Sequence, residues 1–116
     1  MQLTTEELPE IKNVTAADIR RIFTEDAFGK FAILSVSDVV FIQAGCVWDV
    51  SEECAKFMEE TGSDPFILEY RDAKTGRLFA ATTHVTLDQI AEVFLEYLQG
   101  DDSWRSRYTW KQVKSQ

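Results

Sequence analysis

The segment from Thr86 to Gln89 has the sequence of a helical capping box, and this signal limits the possible folds more than any other in the chain. The Thr86 hydroxyl can accept a hydrogen bond from the backbone N–H of Gln89, and the Gln89 side chain can reach back to the backbone N–H of Thr86. Val85 and Ile90 have the spacing of a hydrophobic staple across the same cap. A helix is therefore predicted to begin at Leu87.

The residues after this cap predict a helix over Leu87–Gln99, and Gly100 is suited to end it in the left-handed conformation. At a rise of roughly 1.5 Å per residue the helix is about 20 Å long. Because one of its faces is apolar, we expect it to pack on a sheet built from the strands upstream. The apolar positions recur at helical spacing and are Leu87, Ile90, Ala91, Phe94, Tyr97 and Leu98.

A shorter helix is predicted near the N-terminus by the same kind of signal. Thr15 is a suitable N-cap, and Asp18 falls at the third helical position, close to the positive end of the helix dipole. Gly29 ends the segment. Residues 1–13 contain few periodic apolar positions and include Pro9, so we interpret them as an N-terminal arm.

Two β-hairpins are predicted between the helices. The first covers residues 30–44, where FAILSV and VVFIQA flank a turn at Ser37 and Asp38. The second covers residues 66–83, where FILEYR and RLFAATT flank a turn with Gly76 in the left-handed position. Because both strands of the first hairpin are apolar at successive positions, we expect them to be covered on both faces or to lie centrally in the sheet.

An optional helix between the hairpins begins after Ser51, runs through Thr61 and stops at Gly62. The predicted fold class is α+β, in the order α-β-β-(α)-β-β-α, with a four-stranded, mostly antiparallel sheet and two or three helices packed on it. A chain of 116 residues forms a single domain of this kind over residues 1–116.

The chain is acidic, with a net charge of −8. This charge argues against binding to nucleic acid or to an anionic membrane and is compatible with a basic protein partner, although it also serves solubility alone. Residues 31–65 contain most of the excess, since only Lys56 opposes the acids there. The partner-binding residues that we predict in this region are Asp49, Glu52, Glu53, Glu59 and Glu60.

We find no motif for catalysis, a cofactor or a metal ion. His84 is the only histidine, and Cys46 and Cys54 lack the CxxC spacing of zinc and redox sites. Cys46 and His84 form a nucleophile and its base only if the fold brings them together. Glycine-rich nucleotide loops and G-x-S-x-G are absent from the sequence. We therefore predict no catalytic residue, no cofactor and no metal, and the few cysteines and short apolar runs predict a cytoplasmic protein.

The C-terminal segment is rich in aromatic residues. Trp104, Tyr108 and Trp110, with Arg105 and Arg107 among them, are of the type that stacks on single-stranded nucleic acid. The acidity of the chain opposes that function. We expect the aromatic side chains to fold back over the sheet or the helix end and to seal the core.

From about residue 31 to residue 113 the chain resembles a group of small bacterial proteins, some of which look like immunity proteins of polymorphic and contact-dependent toxin systems. The resemblance is carried by the hairpin ending FIQAG, the strand FILEYR, the segment VTLDQIAEVFLEYLQGDDSW and the closing YTWKQV. It implies a non-catalytic inhibitor that binds a basic toxin domain, often a nuclease or deaminase, through an acidic surface. The alternatives are a structural or regulatory domain that forms a homodimer, and a small enzyme or ligand-binding protein.

Overall fold

The structure, a computed structural model, describes residues 1–47 and 51–113. Within these ranges the chain forms one α+β unit. The strands are β1 (Gln2–Thr5), β2 (Phe31–Ser37), β3 (Val40–Cys46), β4 (Phe66–Arg71), β5 (Leu78–Ala81) and β6 (Trp110–Gln112). The helices are α1 (Ala16–Thr24), α2 (Glu52–Thr61), α3 (Leu87–Leu98) and α4 (Trp104–Arg107).

The described strands form one antiparallel sheet in the order β1-β2-β3-β4-β5-β6, so that each strand pairs with its neighbours in sequence. The predicted α+β class with an antiparallel sheet is confirmed. The predicted count of four strands is wrong, because the sheet has six. The chain order therefore begins and ends with a strand, which the predicted order omits. The short helix α4 is a fourth helix among the described residues and was not among the two or three predicted.

The N-terminal segment accounts for one of the two additional strands. Residues 1–13, predicted as an arm, contain β1, which pairs with β2 and buries Leu3 to 1% exposure. The outer edge of β1 is also occupied, because Leu3 donates from its N–H to the Ile11 carbonyl oxygen at 2.8 Å and accepts from the Ile11 N–H at 3.0 Å. The segment is therefore part of the sheet.

One face of the sheet carries the core. Leu34, Ile42 and Leu68 lie on this face and are fully buried. The helices α1 and α3 cover it, and the ring of Phe23 on α1 lies 5.1 Å from that of Phe94 on α3 in an edge-on contact. This arrangement follows from the amphipathic pattern of both helices, whose apolar stripes need a surface to bury.

The opposite face of the sheet is not covered by any of the described helices. The strands β2 and β3 lie inside the sheet, which is one of the two placements expected for them. Phe31 is 37% exposed on this open face, and Ile33, Phe41 and Gln43 are half-buried there. The apolar residues at successive positions therefore include some that remain at the surface.

The predicted helix caps are confirmed. The Thr86 hydroxyl accepts from the Gln89 N–H at 3.1 Å, and the Thr86 N–H donates to Gln89 Oε1 at 2.8 Å. Thr15 and Asp18 form the equivalent pair, at 3.2 and 3.0 Å. The Thr15 hydroxyl also donates to Asp18 Oδ2 at 2.9 Å, and the bond from the Thr15 N–H together with this one lowers the pKa of the Asp18 carboxyl. The predicted end of α3 is also confirmed, because Gly100 has a φ of +77°.

The aromatic tail seals the core, as expected. Trp104 is 2% exposed, and its ring lies 4.9 Å from that of Tyr70 on the sheet. Trp110 contacts the same Tyr70 at 4.8 Å and donates from Nε1 to the Arg105 carbonyl oxygen at 2.9 Å. The tail then adds β6 to the free edge of β5, which accounts for the sixth strand.

Candidate functional site

The helix α2 confirms the optional helix predicted between the hairpins. The Ser51 hydroxyl caps it by accepting from the Cys54 N–H at 3.2 Å. Gly62 ends it with a φ of +71°, and its N–H donates to the Met58 carbonyl oxygen at 2.9 Å. Because α2 connects the end of β3 to the start of β4, it lies at one end of the sheet, which we call the α2 end.

The attachment of α2 to the rest of the molecule uses few side chains. Cys54, which is 3% exposed, is the one buried residue of α2. Phe57 is half-buried, and its ring lies 6.0 Å from the His84 ring in an edge-on contact. Most of the helix surface therefore faces solvent.

The structure brings four of the five predicted partner-binding residues together on α2. Glu52, Glu53, Glu59 and Glu60 are all exposed. Lys56 and Glu60 form an ion pair at 3.9 Å, but both side chains are more than half exposed, so the pair contributes little stability. The fifth predicted residue, Asp49, lies outside the residues that the structure describes.

The positions of these glutamates along α2 distinguish two pairs. Glu52 and Glu53 lie in the first turn, where a negative charge stabilises the positive end of the helix dipole. Glu59 and Glu60 lie towards the last turn, which contains no basic residue, and a negative charge there opposes the dipole. Helix stability thus explains the first pair but not the second.

A second group of carboxylates extends this acidic surface. Asp26, Asp64 and Asp88 line a groove of about 410 Å³, together with Thr61 and Thr86 among others. The pKa of the Asp26 carboxyl is raised, mainly by burial and further by the charge of Asp64. Asp26 also has a φ of +49°, in the left-handed region. The groove can therefore attract a cationic group.

The sequence did not identify this groove as part of a site. Asp26 follows α1, Asp64 precedes β4, and Asp88 lies in the first turn of α3. These positions are distant in sequence and come together only through the fold. The only feature of the sequence that points towards the groove is the acidic excess of residues 31–65, to which Asp64 belongs.

The two cysteines and the histidine were the residues considered for a nucleophilic site. Cys46 and Cys54 are free thiols. The pKa of Cys46 is raised, mainly by burial and then by the negative charges of Asp64 and Asp26, which lowers its thiolate fraction. His84 packs against Phe57 on the side of α2. The absence of catalysis nevertheless stays a prediction.

Among residues 1–47 and 51–113, no three His, Cys, Asp or Glu side chains are grouped so as to hold a metal ion. Over the same residues, none of the helices has the length and apolar character required to cross a membrane. Comparison with protein-family models, curated proteins and solved structures finds no match to this chain. The resemblance to immunity proteins therefore stays a prediction.

Proposed function

We propose that this chain is a non-catalytic protein-binding domain that captures a basic protein through the acidic surface of α2. An immunity-type inhibitor of a bacterial toxin, acting in the cytoplasm, is the specific form of this function that we favour. The observation that carries the proposal is the exposure of Glu59 and Glu60 at the end of α2 where their charge opposes the helix dipole.

The surroundings of α2 support this function. The groove of Asp26, Asp64 and Asp88 lies beside the C-terminal end of α2, so the negative potential extends over more than the helix itself. Burial together with the charge of Asp64 raises the pKa of Asp26, so a cation that enters the groove relieves a repulsion already present. Complementary charge of this kind accelerates association and disfavours wrong partners.

An alternative is that the glutamates only keep the protein soluble. Solubility requires a net charge but no particular position for it. Pairs of substitutions that change the net charge equally at different positions therefore separate the two functions.

The experiment compares three variants of the purified protein. The first reverses Glu59 and Glu60 to Lys, the second reverses Glu52 and Glu53 to Lys, and the control reverses Glu10 and Asp102 to Lys. All three change the net charge by the same amount, and all six side chains are exposed.

Immobilised wild type and variants are used to capture proteins from the native host, and association rates with the captured protein are measured at low and moderate salt. We expect both α2 variants to lose capture while the control retains it. The wild-type association rate should fall as salt rises, because salt screens charges beyond roughly 8 Å at physiological ionic strength. Equal capture by all variants, with rates independent of salt, would contradict the proposal.

A further inference from the structure

The open face of the sheet carries exposed apolar side chains around Gln43, Glu69 and Arg71, and none of the described helices covers it. Phe31 and Ile67 are 37% and 39% exposed on it. Single exposed apolar residues are ordinary, but contiguous ones on a soluble protein mark an interaction surface. Strand alternation and register place these apolar side chains on neighbouring strands: Phe31 and Ile33 on β2, Phe41 on β3, Ile67 on β4 and Leu78 on β5.

Gly45 forms a hollow in this open face. In the register of the sheet it lies between Phe31 of β2 and Ile67 of β4. A Cβ atom placed on Gly45 would meet no other atom within 4 Å, and the hollow has a volume of about 170 Å³. Because a cavity of roughly 150 Å³ can hold a benzene ring, this hollow has room for an aromatic side chain.

Phe41 is an aromatic side chain in the matching position. It lies on the same strand and the same face as Gly45, with Gln43 midway between them. Consider a two-fold axis that runs between two stacked copies, parallel to their sheets and perpendicular to their strands at the level of Gln43. This axis exchanges the positions of Phe41 and Gly45 between the two copies. In a stacked pair of copies it places Phe41 of each copy over Gly45 of the other.

The charges of the molecule are divided along the same direction. The turns of the two hairpins, where β2 turns into β3 and β4 into β5, contain Arg71, Lys74 and Arg77 against Asp38 and Asp72, and we call this end of the sheet the hairpin end. The α2 end is strongly acidic, and its acids include Glu6, Asp26, Asp64 and the four glutamates of α2.

We propose that the partner of the open face is a second copy of this chain, stacked face to face with its strands antiparallel to the first. This orientation sets the hairpin turns of each copy, with Arg71, Lys74 and Arg77, against the acidic α2 end of the other. The other two-fold stacking, with the axis along the strands, sets the acidic ends against each other. Charge and shape therefore select the same orientation.

The dimensions of the face set the strength of this dimer. Six strands spaced about 4.8 Å apart, with lengths from about 10 Å for β6 to about 23 Å for β2 and β3, give an area of roughly 500 Å² per copy. A standard specific interface buries about 800 Å² per partner. We therefore expect a dimer that dissociates on dilution.

The carboxylate of Glu69, which lies beside Gln43 in the sheet, is unfavourable for this dimer. Gln43 donates from Nε2 to Glu69 Oε1 at 3.0 Å, and the register places both residues beside the axis. The axis brings the Glu69 carboxylates of the two copies towards each other. The proposal therefore predicts that Glu69→Gln, which removes this repulsion, tightens the dimer. Glu10→Gln, which removes a charge on the N-terminal segment, should have a smaller effect.

The first test fills the hollow. Gly45 does not have a positive φ, so Gly45→Gln is compatible with the backbone and introduces a bulky, uncharged side chain. We expect this variant to dimerise about tenfold more weakly or worse, because the Phe41 ring loses its site. Ala17→Gln, on the exposed side of α1, is the matched control and should dimerise like wild type.

The second test addresses the contact itself. Phe41→Ala should weaken the dimer as Gly45→Gln does. The double variant should lose little more than either single variant, because both changes remove the same contact. Additive losses in the double variant would contradict the seating of Phe41 over Gly45. The unfolding midpoint of each variant is measured at a concentration at which the protein is monomeric. An unchanged midpoint shows that a weaker dimer does not result from loss of folding.

Sedimentation equilibrium over a wide concentration range measures all of these variants. A wild-type protein that stays monomeric over this range overturns the proposal. Because the measurement uses the purified chain alone, its outcome is independent of whether a basic protein binds α2.

Discussion

Arg107 binds Glu96 through both terminal nitrogens of its guanidinium group, and this pair ties the C-terminal segment to α3. Arg107 Nη1 donates to Glu96 Oε2 at 3.0 Å, and Nη2 donates to Glu96 Oε1. Nη1 also lies 3.3 Å from Glu92 Oε1. The hydrogen bonds to Glu96 raise the pKa of Arg107. The pair therefore holds the end of α4 against α3.

Arg107→Lys should destabilise the fold by up to about 1 kcal/mol, since lysine cannot form the paired hydrogen bonds and the arginine side chain is partly exposed. Urea denaturation measures the loss, and moderate salt should reduce it. Arg20→Lys, on the exposed side of α1, is the control and should leave the midpoint unchanged. A midpoint for Arg107→Lys equal to that of wild type would show that the tail is held by its aromatic contacts alone.

Thr86→Ala should cost about 1 kcal/mol, the usual loss when an N-cap hydroxyl is removed. The Gln89 N–H then lacks the acceptor that it now has at 3.1 Å. Thr86→Ser keeps the hydroxyl and should retain most of the stability. The denaturation midpoint at constant m-value is the measurement, and identical midpoints for the Ala and Ser variants would contradict the role of the cap.

Trp104→Ala should cost about 3–5 kcal/mol, because it removes a large side chain that is 2% exposed and contacts Tyr70, Tyr97 and Trp110. Thermal unfolding followed by circular dichroism measures the loss. Trp104→Phe keeps an aromatic ring in the same site and should lose less. A loss below about 1 kcal/mol for the Ala variant, in the range of ordinary surface substitutions, would place Trp104 outside the cooperative core.

Asp26→Asn should stabilise the protein at neutral pH. Burial and Asp64 raise the pKa of Asp26 in the folded state, so the unfolded state releases its proton first and stability falls as the pH rises through these pKa values. The gain from Asn is within about 0.5 kcal/mol, as for most surface substitutions, and Asn tolerates the left-handed φ of +49°. It should disappear below the unfolded pKa of about 3.9, where Asp26 is protonated in both states.

Asp18→Asn provides the opposite control for the same pH titration. Its pKa is lowered in the folded state by hydrogen bonds from Thr15, so its contribution is present at neutral pH and is lost as the pH falls. The Asn variant should therefore be less stable than wild type at neutral pH and equal to it in acid. The same sign of effect for both variants would contradict the assigned pKa shifts.

Local signals predicted α1, α2, α3 and both hairpins, but not the short helix α4. The caps at Thr15 and Thr86 depend on residues three positions apart, so the sequence contains the whole motif. Gly76 was placed correctly in the left-handed region, with a φ of +69°, because its turn demands a residue without a side chain. The helix after Ser51 is likewise defined by its own cap and by Gly62.

The missing elements depend on distant partners. The strands β1 and β6 have four and three residues, too few for an alternating pattern to be recognised. They become strands because β2 and β5 offer free edges to them. For the same reason the sequence predicted the glutamates of α2 but not the groove of Asp26, Asp64 and Asp88, whose members meet only after folding.

The hydrogen bonds between Leu3 and Ile11 have a consequence for aggregation. A fibre that grows by edge-to-edge strand addition needs two open sheet edges on each molecule, because each molecule must pair with one neighbour on either side. At β1 the backbone groups of Leu3 that face outward are already used, and the Met1 carbonyl oxygen accepts from the Val14 N–H at 3.2 Å. Any strand addition at the β6 edge would therefore end with a pair of molecules, and a continuous cross-β array would first require the N-terminal segment to detach.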